Sequence, residues 1–229
     1  MTVPFIILSG AAGAAASSFI PGAALRYAGM KSERKASPRP VLTDISKKKW
    51  MCAAAGGLFT GICAAYCPAW KVIFAAAFVW TALFGIIVDS LMRIIGNEML
   101  MWLFGLGIIY RFLCGGMKAA WSGTKALFLS LLIFIAAAFI MKLLTGRRGV
   151  GMGDIKLSMT AAFIAGMEHL PLFLTGMCAA MAVYVLLGLK TRMLTLKSSF
   201  PMCMPLMAGL LISFSYELLP VIREAAGLL

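Results

Sequence analysis

Long apolar runs alternate along this chain with short stretches of charged and turn-forming residues. The runs lie near 3–25, 51–68, 70–90, 98–113, 125–143, 154–168, 170–189 and 203–222. A membrane-crossing helix needs roughly 20 mainly apolar residues, so the pattern predicts an all-α polytopic membrane protein with about eight transmembrane helices, and no fewer than about six. The second and third runs are joined only by CPAWK, where Pro68 ends one helix and the chain reverses. The sixth run is short, and Glu168-His169-Leu170-Pro171 reads as the turn that closes it.

Composition agrees with this reading. Of 229 residues, 62% are apolar and 13% charged, against roughly 25% charged in a soluble domain. An ordinary soluble domain is excluded, and so is a soluble nucleic-acid binder, although the net charge is +13. In a membrane protein such an excess marks cytoplasmic loops. The stretch 26–50 holds Arg26, Lys31, Arg34, Lys35, Arg39, Lys47, Lys48 and Lys49 against only Glu33 and Asp44. With that loop in the cytoplasm, eight spans put Arg93, Lys142, Arg147, Arg148, Lys156, Lys190, Arg192 and Lys197 on the same side. That makes sixteen of the 21 basic residues. Lys71, Arg111, Lys118, Lys125 and Arg223 fall outside. Residues 1–229 thus read as a single transmembrane domain with a basic cytoplasmic loop, both termini facing away from the cytoplasm. The loop serves topology, with contact to anionic lipid.

The six cysteines are scattered through apolar stretches without any C-x-x-C pair, and His169 is the only histidine. Clustered thiolates with zinc spacing are missing, so the cysteines read as small buried side chains and no metal or other cofactor is expected. The first 25 residues carry no basic segment ahead of the apolar run and read as a retained span. Gly10, Ala14 and Ser18, four apart, predict a close helix contact, and the 17 methionines read as adaptable packing.

An ionisable group at membrane depth is costly and is a functional candidate by default. Glu33 and Asp44 belong to the basic loop; Glu98, Glu168, Glu217 and Glu224 sit at span ends or turns and read as interfacial. Asp89 and Asp154 remain. The first closes the third span in FGIIVDSLMRIIGN and the second opens the sixth in RRGVGMGDIKL. The topology brings both to the cytoplasmic membrane surface. Two carboxylates at one depth on different helices suit an aspartyl hydrolase, in which the pair shares one proton. The ionised member takes a proton from water and the protonated one polarises a carbonyl. Arg93, four residues after Asp89, is at a helical pairing distance, so a simple interfacial ion pair is the competing reading. Gly149, Gly151 and Gly153 lead into Asp154, permitting unusual dihedrals and close approach by another backbone. Lys156, two residues on, points elsewhere on a regular helix and either anchors the helix at the headgroups or serves the site. A helix N-terminus favours an anion at Asp154 and a C-terminus does not favour one at Asp89. Asp154 is therefore the candidate base and Asp89 the candidate acid, with Arg93 acting in the opposite direction on Asp89.

GMGDIKL, residues 151–157, resembles the G-x-G-D-x-K-L signature of type IV prepilin peptidases, membrane-embedded aspartyl proteases. Asp89, Arg93, Ile94 and Asn97 in DSLMRIIGN are similar to that family's first aspartate segment, D-x-x-x-R-x-I-P-N; Gly96 stands for the proline if Ile95 is aligned with the isoleucine. Ser18-Phe19 and Arg26 resemble the G-S-F…R segment, with Ser17 for glycine and Pro21 where asparagine is frequent. FPMCMPLMAG, from Phe200 to Gly209, is similar to I-P-F-G-P-F-L-A-L-G.

The resemblance implies a leader peptidase that cuts the short basic leader from prepilins or pilin-like precursors at the cytoplasmic face of the inner membrane. Asp89 and Asp154 would be catalytic, with Gly151, Gly153, Lys156, Arg93 and Asn97 supporting them. The lipid bilayer and the machinery of a pilus or secretion system would be its partners. Longer members also N-methylate the new terminus and carry two C-x-x-C pairs in a cytoplasmic loop. The 26–50 stretch has no cysteine, which argues against zinc there and against methyl transfer. Two other classes compete: a presenilin-like protease, which also uses G-x-G-D but keeps its aspartates on adjacent helices, and a proton-coupled transporter, which would want its carboxylates nearer mid-membrane.

Overall fold

A computed structural model of the protein describes residues 3–34, 45–93, 95–145, 151–191 and 202–218. Among these residues there is no strand. The helices are α1 (Val3–Arg34), α2 (Ile45–Tyr66), α3 (Ala69–Met92), α4 (Asn97–Thr145), α5 (Met152–Lys190) and α6 (Cys203–Leu218). The all-helical expectation holds, and the expected count of about eight spans is not confirmed. Among the described residues four helices are long and apolar enough to cross a membrane: Val3–Ser32, Ala69–Met92, Asn97–Leu144 and Met152–Lys190, with Cys203–Tyr216 a shorter apolar helix. The chain divides into two compact units, Met1–Ile94 with Phe214–Leu229, and Ile95–Ser213.

In the first unit α1 runs nine residues beyond the apolar stretch, through Arg26 and Lys31 to Arg34. Arg and Lys are good helix formers, so charge marks the end of an apolar surface and not the end of the helix. The contact of α1 with α2 is made by small residues. A Cβ on Gly13 would strike Thr60 and lie 3.1 Å from the Gly56 carbonyl oxygen; one on Gly56 would strike Ser17. A Cβ on Gly57 would come within 2.9 Å of the Ala14 Cβ. The packed face is therefore Gly10, Gly13, Ala14 and Ser17. Ser18, expected in it, instead donates to the Ala15 carbonyl at 2.6 Å. At about 3.6 residues per turn, position i+7 returns to the face of residue 10 and i+8 overshoots it.

The second unit contains the largest departure from the expected spans. Within α4, Gly115 (φ −162°, ψ 20°) and Gly116 (φ 58°, ψ −141°) leave the helical region. Gly107 and Gly123 lie on either side of this break, and both abut Phe163 of α5: a Cβ on Gly107 would sit 3.6 Å from one edge of its ring, and one on Gly123 3.1 Å from the other. In a straight helix those glycines would be about 24 Å apart. α4 is thus a hairpin of two helical arms, 97–114 and 117–145, folded back through the two glycines. The arms meet the expected runs 98–113 and 125–143, but the intervening stretch with Lys118 is helical. α5 breaks once, at Gly166 (φ 72°, ψ 171°), two residues before the expected turn Glu168–Pro171. Pro171 is held in the early part of the following arm, where a missing N–H matters least.

Candidate active site

Asp89 lies in the last turn of α3 and is 5% exposed. Ile87 and Val88 beside it belong to an apolar cluster with Ile20, Ala24 and Cys52. Tyr27 meets Phe84 edge-on at 5.6 Å, extending this cluster one turn further from the carboxyl group. α3 stops at Arg93, whose φ of 50° and ψ of 38° are left-handed, and the Arg93 N–H donates to the Asp89 carbonyl oxygen at 2.8 Å. Arg93 therefore terminates the helix. Its side chain is exposed.

The Asp154 segment is built at the other expected place, the start of α5. Gly151 is the N-cap and Asp154 the third helical residue. The Gly151 N–H donates to Asp154 Oδ2 at 3.3 Å, and the Asp154 N–H to the Gly151 carbonyl at 3.1 Å. A carboxylate here answers both the orphan amides of the first turn and the positive end of the helix dipole. The glycines work through space and not through unusual dihedrals: Gly151 sits at an ordinary φ of −76° and ψ of 147°. A Cβ on Gly151 would lie 2.9 Å from Asp154 Oδ2, and one on Gly153 would press on the Ile95 side chain at 3.3 Å. Gly149 is outside the described residues.

Two of the supporting residues meet in the second unit. Lys156 Nζ donates to Asn97 Oδ1 at 3.4 Å, an exposed contact that ties the start of α4 to the first turn of α5. Of the seven singled-out residues, Asp89 and Arg93 belong to the first unit and Asn97, Gly151, Gly153, Asp154 and Lys156 to the second. Among the described residues no three His, Cys, Asp or Glu side chains gather as a metal site. Cys52, Cys63, Cys67 and Cys203 are buried as expected, while Cys178 is exposed.

A polar cluster that the sequence did not announce joins the two helix breaks. Arg111, 4% exposed, donates from Nε to the Ala119 carbonyl at 3.1 Å and from Nη2 to Glu168 Oε2 at 3.2 Å. Ser122 donates to Glu168 Oε1 at 2.7 Å and accepts the Met167 N–H at 3.1 Å. Arg111 thus bridges the α4 hairpin, while Ser122 and Glu168 hold the first residues after Gly166. A charge placed in an apolar segment needs a partner, and that was the available signal. Arg111 was one of five basic residues outside the cytoplasmic set, and Glu168 one of four acids read as interfacial. Their 57-residue separation hides the pairing from any local pattern.

No curated protein and no solved structure matches the chain. Residues 76–186, which include Asp89, the hairpin, the Asp154 turn and the Gly166 break, match the type IV leader peptidase family. Over that segment, just under half of the 229 residues, the chain is similar to the type IV leader peptidases, a family of proteases.

Proposed function

We propose that this protein is a prepilin-type leader peptidase of the inner membrane that uses Asp89 and Asp154 as its catalytic pair. The observation that carries the reading is the family match over 76–186, which includes both aspartates in the expected order. The apolar helices support a membrane setting, and the reversal of α4 at Gly115–Gly116 supports counting its arms as separate crossings in an eight-span, single-domain topology. Sixteen of the 21 basic residues then face the cytoplasm. The substrate is a pilin-like precursor, with its basic leader in the cytoplasm and its apolar helix in the bilayer.

Water attacks the scissile carbonyl as Asp154 takes its proton, and protonated Asp89 donates to the carbonyl oxygen. Collapse of the tetrahedral species returns a proton to the leaving amine. Two features support this division of roles: Asp154 occupies the positive end of α5, and Asp89 is buried beside an apolar cluster near the negative end of α3.

The test is incubation of the purified protein with a pilin-type precursor, with the product identified by mass. Asp89→Asn and Asp154→Asn should each lower kcat by about 10²- to 10⁴-fold, the range of a lost general acid or base. Full cleavage by either variant overturns the assignment. A proton located on resting Asp154 by neutron diffraction would reverse the two roles.

A further inference from the structure

The helical arm that carries Asp154 begins at Met152 and ends at the break at Gly166. Asp154 and Gly166 stand about 18 Å apart along it, at about 1.5 Å of rise per residue. One face of the arm is apolar and seated on the α4 hairpin. Leu157, Ala161 and Ile164 are buried; a Cβ on Gly107 would lie 2.6 Å from Ile164 Cγ1, and one on Gly123 2.7 Å from the Phe163 carbonyl oxygen. Apolar burial is non-directional. It presses the arm onto the hairpin but selects its height and rotation weakly, whereas hydrogen bonds to charged groups are directional and select both.

Those bonds differ between the two ends. Beside Asp154, Lys156 Nζ reaches Asn97 Oδ1 at 3.4 Å in an exposed contact, and a Cβ on Gly153 would press on Ile95 at 3.3 Å. Past Gly166 the bonds are shorter and tie both arms of the hairpin to one point. Glu168 accepts from Ser122 of the second arm at 2.7 Å and from Arg111 of the first at 3.2 Å. The Met167 N–H donates to Ser122 at 3.1 Å, and Arg111, 4% exposed, also closes the hairpin through the Ala119 carbonyl at 3.1 Å. Gly166 itself abuts the guanidinium, which a Cβ there would strike, so the grip begins where the arm ends.

We propose that Glu168 is a positioning residue for Asp154: gripped by Arg111 and Ser122, it sets the height and rotation of the arm that presents the catalytic carboxylate. The inference rests on the leader-peptidase reading and adds to it a control point at the far end of the arm, which in the eight-span topology is the opposite face of the membrane. The helix from Met152 to Ala165 is unbroken, so a shift or turn at the cluster is passed along it to Asp154.

The test uses the full-length protein in liposomes, below the melting range of every variant. Glu168→Ala should lower kcat for a pilin-type precursor about 10- to 100-fold with KM changed less than about 2-fold, the scale of a misplacement near 1 Å. Glu168→Gln keeps an acceptor for Arg111 and should recover most of kcat. Spin labels on non-natural residues at positions 101 and 152, which are 75% and 72% exposed, report the arm against the hairpin. Their mean distance should change by about 1–2 Å in Glu168→Ala, the size of a helix shift, and return in Glu168→Gln. Should Glu168→Ala not fold, Ser122→Ala removes one of the two grips and carries the same readouts. A purely structural role predicts a lower Tm with kcat and the label distance unchanged; that result, or a change in KM alone, overturns the proposal and leaves the peptidase reading standing. If the unaltered protein cleaves no precursor, the peptidase reading fails, and the label distance still decides whether Glu168 sets the arm.

Discussion

Gly166→Ala is the most direct perturbation of the link between the two helix breaks. Two costs add. A residue with a Cβ at φ 72° and ψ 171° is in a region essentially reserved for glycine and costs about 1–3 kcal/mol. The new Cβ would also fall on the Arg111 guanidinium, 2.6 Å from both its Cζ and Glu168 Oε2, and would push the ion pair apart. The Glu168 side chain is 57% exposed while that of Arg111 is 5% exposed. Solvent screens such a pair, so its loss costs about 1–2 kcal/mol, below that of a fully buried one. The sum is about 2–5 kcal/mol, and at about 2–4 °C per kcal/mol for a chain of this size Tm should fall by roughly 4–20 °C. The assay is thermal unfolding in one detergent, followed by tryptophan fluorescence. Gly29→Ala is the control: its Cβ meets nothing within 4 Å, and helix propensity predicts a gain of up to about 1 kcal/mol. If Gly166→Ala melted within 1 °C of the unaltered protein, both the backbone and the ion-pair arguments would be wrong.

Gly13→Leu should separate α1 from α2, lowering Tm by several degrees, whereas Gly10→Ala should be nearly neutral because its Cβ clears the Gly57 carbonyl by 3.4 Å; melting curves of the two variants check this contrast. Ser122→Ala removes the acceptor of the Met167 N–H and a donor to Glu168, and should cost about 1–2 kcal/mol in denaturant titrations. Asn97→Ala breaks only an exposed 3.4 Å contact and should shift stability by no more than about 0.5 kcal/mol, so any large fall in its cleavage rate would mark a role beyond structure. Arg93→Gly relieves a left-handed cap and should stabilise the end of α3 by about 1 kcal/mol; a matching gain in Tm checks the backbone term, and cleavage by the same variant reports on the guanidinium.

Hydropathy located the helices well where their ends coincide with a change of polarity, as at Ala69–Met92. It failed where those two things part. α1 continues through Arg26 and Lys31 because a helix needs backbone hydrogen bonds and tolerates charge. The second arm of α4 starts before its apolar run, and Lys125 lies over the Trp121 ring at 6.0 Å, covering apolar surface with its stem. In α5 the proline at 171 drew the expected turn, but the backbone breaks at Gly166, where only a residue without a Cβ fits. The Asp154 turn was legible because its signal is local: glycine, glycine, carboxylate, helix. The Arg111–Glu168 pair was not, because its partners are brought together by the hairpin itself.

The hairpin also makes the spacing of residues between Gly107 and Gly123 matter more than their identities. Both glycines face the same stretch of α5, Gly107 toward Ile164 and Phe163 and Gly123 toward Phe163, and each added residue turns a helical arm by about 100°. A single-residue insertion or deletion in either arm would swing a glycine away from Phe163 and Ile164 and bring a bulkier neighbour toward them. This stretch should therefore reject indels that surface loops absorb, while accepting many same-length changes on its outward faces.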